Sequence, residues 1–236
     1  QYTLDSLGLY FEQALAAGLP APEPNRQHTL LLAAERPPTV ALQLIGSYLE
    51  LARLLGRRTA EIHVALASRT DDPAFEPEPY TDFYRHGLYH GLLAHFTRNL
   101  DLLRRNLDKA SSDARPECEL LLEREPELRQ LLMQLRDHRI AAVRTRVHGD
   151  YNLEQVLFTG KDFVLIDFEG DPSRPLSERR IKRSPLRDVA AMIRSFHYAS
   201  HAVLFGKVSG VVGRLEDTAK LERWADDMVL AAEKAL

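Results

Sequence analysis

A single cysteine, Cys118, occurs among the 236 residues, so the chain can build neither an internal disulfide nor a cysteine-based zinc site, a usage suited to a reducing cytoplasm. No apolar run approaches the roughly 20 residues of a membrane span. Residues 1–10 also lack the basic and apolar regions of a signal peptide. A soluble cytoplasmic chain with no membrane partner is expected. A large excess of one charge sign is missing too. The formal net charge is -3, and the 28% of charged residues mix both signs, leaving no basic face to neutralise phosphates and excluding nucleic acid as a partner. No internal repeat or low-complexity tract occurs. What is present is 44% hydrophobic, enough for a real core, and it fits one large domain better than two.

Helical periodicity dominates. Leu4, Leu7, Phe11, Ala14 and Leu15 predict a short helix over residues 2–17, stopped by Gly18 and a linker carrying Pro20, Pro22, Pro24, Pro37 and Pro38. A long amphipathic helix is predicted over 42–68, a loop over 71–79, and further helices over 80–107 and 116–143. The pattern then changes. Val156-Leu157-Phe158 and Phe163-Val164-Leu165-Ile166 flank a turn containing Gly160, the only convincing strand signal and a hairpin. An irregular charged stretch covers 170–184, Pro185 opens another helix, and 216–236 reads as a last one. Trp224 on that last helix reads as packing. The fold class is mainly α with a small β-hairpin.

The chemistry concentrates around that hairpin. His148-Gly149-Asp150-Tyr151-Asn152-Leu153-Glu154-Gln155 has the H-x-D-x-x-x-x-amide spacing of a kinase catalytic loop, and Ile166-Asp167-Phe168-Glu169-Gly170 resembles the Mg-binding D-F-G element. Phosphoryl transfer needs a carboxylate to accept the hydroxyl proton, and hard oxygen ligands to hold Mg2+ on the phosphates. Asp150 fits the first role. Gln155 and Asp167 fit the second, and Glu169 is a further acidic group for metal or sugar. His148 braces the loop rather than transferring protons. Asp188, and Arg187 beside it, anchor the loop from the start of a helix, or serve only as charges at a helix terminus.

These motifs resemble the maltokinases, members of the aminoglycoside phosphotransferase-like kinases that are often fused behind a trehalose synthase domain. The resemblance rests on residues 147–151, 155–157, 163–171, 175–180, 182–190 and 194–199, and on 54–67 as the first long helix. It implies the helical C-terminal lobe of a protein-kinase-like α+β fold. It also implies transfer of the γ-phosphate of ATP to the anomeric hydroxyl of maltose, giving maltose 1-phosphate for α-glucan and trehalose metabolism. Asp150 would be the base, with His148 at its side, and Gln155, Asp167 and Glu169 would serve Mg2+. Two positions depart from the family's H-G-D-Y-H-L-G-Q: Asn152 and Glu154 replace His and Gly. The chain begins at Gln rather than Met, so residues 1–41 read as a connector from a missing N-terminal kinase lobe, and 42–236 as the C-terminal lobe, truncated at its end. Little turnover is expected from this segment alone.

Other residues read more plainly. His86 and His90 share a helix face at i, i+4, a spacing compatible with zinc, but no Glu follows His86, so with His95 they are expected to be exposed or packing histidines. His63 reads as a hydrogen-bonded buried histidine. Arg179, Arg180, Lys182 and Arg183 form a basic run suited to phosphate or sugar oxygens, or equally to a solvated face or salt-bridge network. Two functional alternatives stay open: a non-catalytic scaffold attached to trehalose synthase, motivated by Asn152 and Glu154, and a kinase for another hydroxyl acceptor, an aminoglycoside or amino alcohol.

Overall fold

The computed structural model describes residues 1–18, 20, 22, 39–69, 71–112, 114–206 and 218–235. Where composition suggested one domain, the chain divides into two compact units, one of Gln1–Pro77 with Thr145–Leu236 and one of Glu78–Arg144.

The larger unit begins with α1 (Tyr2–Ala16), whose stripe of Leu7, Tyr10, Phe11 and Ala14 is buried. Gly18 ends it at φ 62°, a left-handed conformation open to glycine. Apart from Pro20 and Pro22, the expected proline linker lies outside the described residues. The single helix expected over 42–68 is two: α2 (Thr39–Ile45) and α3 (Tyr48–Ser68). Gly46, at φ 59°, separates them, because a right-handed helix cannot run through that conformation.

The smaller unit starts and ends on a two-residue ribbon, β1 (Glu78–Pro79) against β2 (Val143–Arg144), for which the sequence carried no strand signal. Between them, α4 (Asp82–Asn106) is capped by Thr81, whose Oγ1 accepts from the Tyr84 N–H at 3.2 Å. The helix expected over 116–143 is also two, α5 (Arg115–Glu123) and α6 (Glu125–Asp137). Pro126 opens the second and cannot accept the helix of the first. Arg144 closes the ribbon, 2.5 Å from Glu78 and stacked over the Tyr84 ring at 4.2 Å.

Back in the larger unit, the expected hairpin forms from β3 (Val156–Phe158) and β4 (Phe163–Leu165), paired antiparallel with Leu157 opposite Val164. Alternation sets its faces. Val156, Phe163 and Leu165 pack against the core, while Leu157, Val164 and Ile166 stay exposed. Arg58 on α3 holds the turn through two bonds to Asp162, at 2.8 and 2.9 Å. After α7 (Leu176–Arg179), Pro185 leads into α8 (Leu186–Leu204), and α9 (Thr218–Ala235) completes the core. Leu221, Trp224, Met228 and Val229 of α9 join Met192, Phe196 and Val203 of α8, with Tyr10 and Phe11 of α1. Each such side chain, fully buried, contributes about 2 kcal/mol. Trp224 packs edge-on to Tyr10 at 6.1 Å, and the Tyr10 hydroxyl donates to the Trp224 carbonyl. No described helix is long and apolar enough to cross a membrane.

Candidate active site

The loop 148–155 is held from α8. Asp188, 1% exposed, accepts the backbone N–H of His148 at 2.8 Å and of Gly149 at 3.0 Å. It also accepts Nε2–H of His63 on α3 at 2.9 Å. Burial works to raise the Asp188 pKa, but bonds from His63, Gly149 and His148 outweigh it and hold the carboxyl below its ordinary value. A charged carboxylate therefore ties the loop to two helices. His63 is hydrogen-bonded as its position suggested, but half-buried rather than buried.

His148 is equally committed. Its Nε2 lies 2.8 Å from the Ile166 carbonyl, which can only accept, so this nitrogen carries the proton. The bare Nδ1 then receives the Asp150 N–H at 3.4 Å. The ring packs on those of Phe168, at 4.8 Å between centroids, and Tyr151, at 5.3 Å. In the same way, Thr59 donates to the Leu55 carbonyl, so it is the Tyr151 hydroxyl that donates to Thr59 at 2.7 Å. Burial pushes the Tyr151 phenol up to about 12.

The two departures fit this loop. Asn152 accepts the Glu154 N–H at 2.9 Å and donates to the Asp150 carbonyl at 3.2 Å, capping the short 3-10 turn Leu153–Gln155. Ser195 of α8 takes the Leu153 N–H at 3.0 Å. Asp167 is the only described non-glycine residue at positive φ, so Glu154 sits in the turn without the strain a glycine position would impose.

The hairpin delivers the remaining groups. The Ile166 N–H bonds the Gln155 carbonyl at 3.0 Å, extending the ladder past β4 and setting Gln155 beside the residue that precedes Asp167. Asp167 then turns the chain at φ 64°, a conformation costing an L-residue about 1 kcal/mol that is retained where surrounding contacts enforce it. Gly149, at φ 88°, would bring a Cβ within 3.5 Å of the Gly170 Cα. Loop tip and post-hairpin turn thus meet backbone to backbone, bringing together the segments that carry Asp150 and Asp167. Asp150 is half-buried, while Asp167 and Glu169 are exposed. Glu169 lies 3.9 Å from Arg179, which also donates to its carbonyl at 3.4 Å.

Arg187 makes no hydrogen bond or ion pair with the loop among the described residues; burial, then Arg174 and Arg183, lower its pKa. The basic run is largely structural. Lys182 donates to the Pro73 carbonyl at 2.7 Å, and Arg183 pairs through its backbone with Thr145. His86, His90 and His95 are exposed. Sequence reasoning missed Ser195 and Thr59 as supports of the loop. Helical spacing held the signal: Ser195 lies two turns beyond Asp188, and Thr59 one turn before His63.

The donors present fit a magnesium ion. Gln155, bonded to the residue that precedes Asp167, and Asp167 itself offer an amide and a carboxylate oxygen, and Mg2+ takes one or two protein ligands beside waters and phosphates rather than a full protein cage. Among the described residues no group of three or more His, Cys, Asp or Glu forms such a cage.

No family model matches the chain. A glucosamine kinase from Streptacidiphilus jiangxiensis is 28% identical over 155 residues, covering 65% of this chain and 31% of that protein. A solved glucosamine kinase in complex with glucosamine, ADP and inorganic phosphate superposes on the whole chain with a TM-score of 0.62, at 19% identity. Crystal form B of a glucosamine kinase gives 0.63, also at 19% identity. The chain shares their fold, and it spans 46% and 45% of those two structures' chains.

Proposed function

We propose that this chain is the catalytic helical lobe of an ATP-dependent sugar kinase that transfers the γ-phosphate to the anomeric hydroxyl of maltose. The observation that carries the reading is the junction of loop and hairpin, where Asp188 and His148 fix the backbone around Asp150 and the Ile166–Gln155 bond brings Gln155 up to Asp167. Asp150 accepts the proton of the attacking hydroxyl as the new O–P bond forms and the bond to the bridging oxygen breaks, releasing ADP. Gln155 and Asp167 hold Mg2+, with Glu169 as a further acidic group; the bound ion neutralises phosphate charge. The exposed apolar face of Leu157, Val164 and Ile166 is a platform for the adenine ring. His148 and Asp188 position the loop. Because Asn152 and Glu154 fit the loop without strain, the reason for reading a non-catalytic scaffold is weakened.

Maltose rests on the motif resemblance, and with it a trehalose synthase domain as a fused or associated partner. Glucosamine is the second acceptor reading, favoured by the names of the similar proteins. The test is ADP release by the natural protein containing this chain, with ATP, Mg2+ and a panel of maltose, glucosamine and an aminoglycoside. One sugar should support turnover. Asp150→Ala should lower kcat about 1,000-fold without changing the melting temperature. Equal turnover by wild type and variant, or none with any sugar, would overturn the reading.

A further inference from the structure

A cavity of about 810 Å³ lies within the larger unit, between the start of α1, α3, the β3–β4 ribbon and α8. That volume suits a small organic ligand. Neither Asp150 nor Asp167 lines it, and of the three residues of the proposed adenine platform only Leu157 does. Its walls are apolar: Tyr2, Leu51, Ala52, Phe158, Phe163 and Ala199. Three of their rings already pack together, Tyr2 to Phe158 at 4.6 Å and Phe158 to Phe163 at 5.3 Å. A flat ring entering here meets an ordered aromatic wall.

Polar groups stand at the rim. Arg194, Ser195 and Tyr198 come from α8, and Glu154 from the 3-10 turn. Ser195 accepts the Leu153 N–H through its oxygen, which leaves its own proton to donate. Arg194 is exposed and has no ion-pair partner among the described residues. The rim on α8 is therefore rich in donors, with Glu154 the one opposing charge. From this arrangement we infer that the cavity binds a small aromatic molecule bearing an acidic group, its ring against Phe158 and Phe163 and its anion on Arg194. The occupant also touches the turn between Asp150 and Gln155, so its binding reaches the loop.

The probe is 8-anilinonaphthalene-1-sulfonate, titrated into the natural protein containing this chain, with fluorescence and calorimetric readouts. Saturable binding of one probe per chain is expected. Arg194→Glu should weaken it at least tenfold, and Glu154→Gln should tighten it. Ala191→Phe, on the half-buried wall, should abolish it, whereas Val64→Thr, exposed on α3 and outside the cavity lining, should leave it unchanged. Melting temperature is followed for each variant; if Ala191→Phe unfolds, Arg194→Glu decides. Non-saturable binding, or affinity indifferent to Arg194→Glu, would overturn the inference. So would sedimentation showing that two chains close over the cavity and exclude the probe. None of these outcomes depends on kinase activity.

Discussion

The described residues contain two ribbons of nearly equal length with different origins. In β3–β4, a local code suffices: two short apolar runs, a turn at Gly160 and an alternation that gives one face to the core. In β1–β2, two residues pair with two others across the 63 intervening positions of the smaller unit, and two residues are too few to carry an alternation signal. The first ribbon holds candidate chemistry at its end. The second joins the two ends of a helical unit through Arg144, Glu78 and Tyr84. A hairpin nucleated locally can fix residues adjacent in sequence, whereas a ribbon closed over a long loop must be held by side chains at its margins.

The sharpest way to break this contrast lies at the support of the first ribbon's site. Asp188→Ala leaves two backbone amides and His63 without their shared acceptor, and should cost about 3 kcal/mol in urea unfolding. If the loss is below 1 kcal/mol, the loop is held by something else. Gly149→Ala forces a Cβ onto a φ of 88° beside Gly170, and should cost about 1 to 2 kcal/mol. Arg144→Ala should destabilise the second ribbon by about 1 kcal/mol or less, seen as faster hydrogen exchange of the Tyr80 amide, which bonds the Ala142 carbonyl. Turnover should not change, because no candidate catalytic residue lies in that unit.

The smallest effect belongs to Asp162→Asn. The hydrogen bonds from Arg58 lower the Asp162 pKa from 3.8 to about 2. A carboxyl depressed on folding contributes stability that is full above its unfolded pKa and lost as pH falls through the folded one. The wild type should therefore lose its small advantage over Asp162→Asn between about pH 4 and pH 2, measured by thermal melts across that range. A gap that persists at pH 2 would mean that the Arg58 contact is not electrostatic.

Much of the candidate site was legible because its parts are close in sequence. Asp150 and Gln155 share one loop, and Asp167 follows on the same hairpin, so residue type and spacing sufficed to nominate them. The breaks at Gly46 and Pro126 were harder to read. Hydrophobic periodicity continues across both, and the backbone conformation of one residue decides the outcome. The supports were harder still. Thr59 and His63 lie about 90 residues before the loop, Ser195 about 40 after it, and nothing in their local pattern distinguishes a core-facing polar residue from one that meets a particular amide.

By itself, the sequence determined that this is a helical protein with one local hairpin and that its carboxylates cluster in a loop-hairpin-turn, because those features depend on periodicity and short-range turn chemistry. Tertiary structure decided the division into two units, the second ribbon, the positive φ of Asp167 and the convergence of His63, Ser195 and Asp188 on the loop. Each of these depends on groups distant in sequence burying their polar atoms against one another, and a buried amide or carboxylate finds its partner only once the helices have packed.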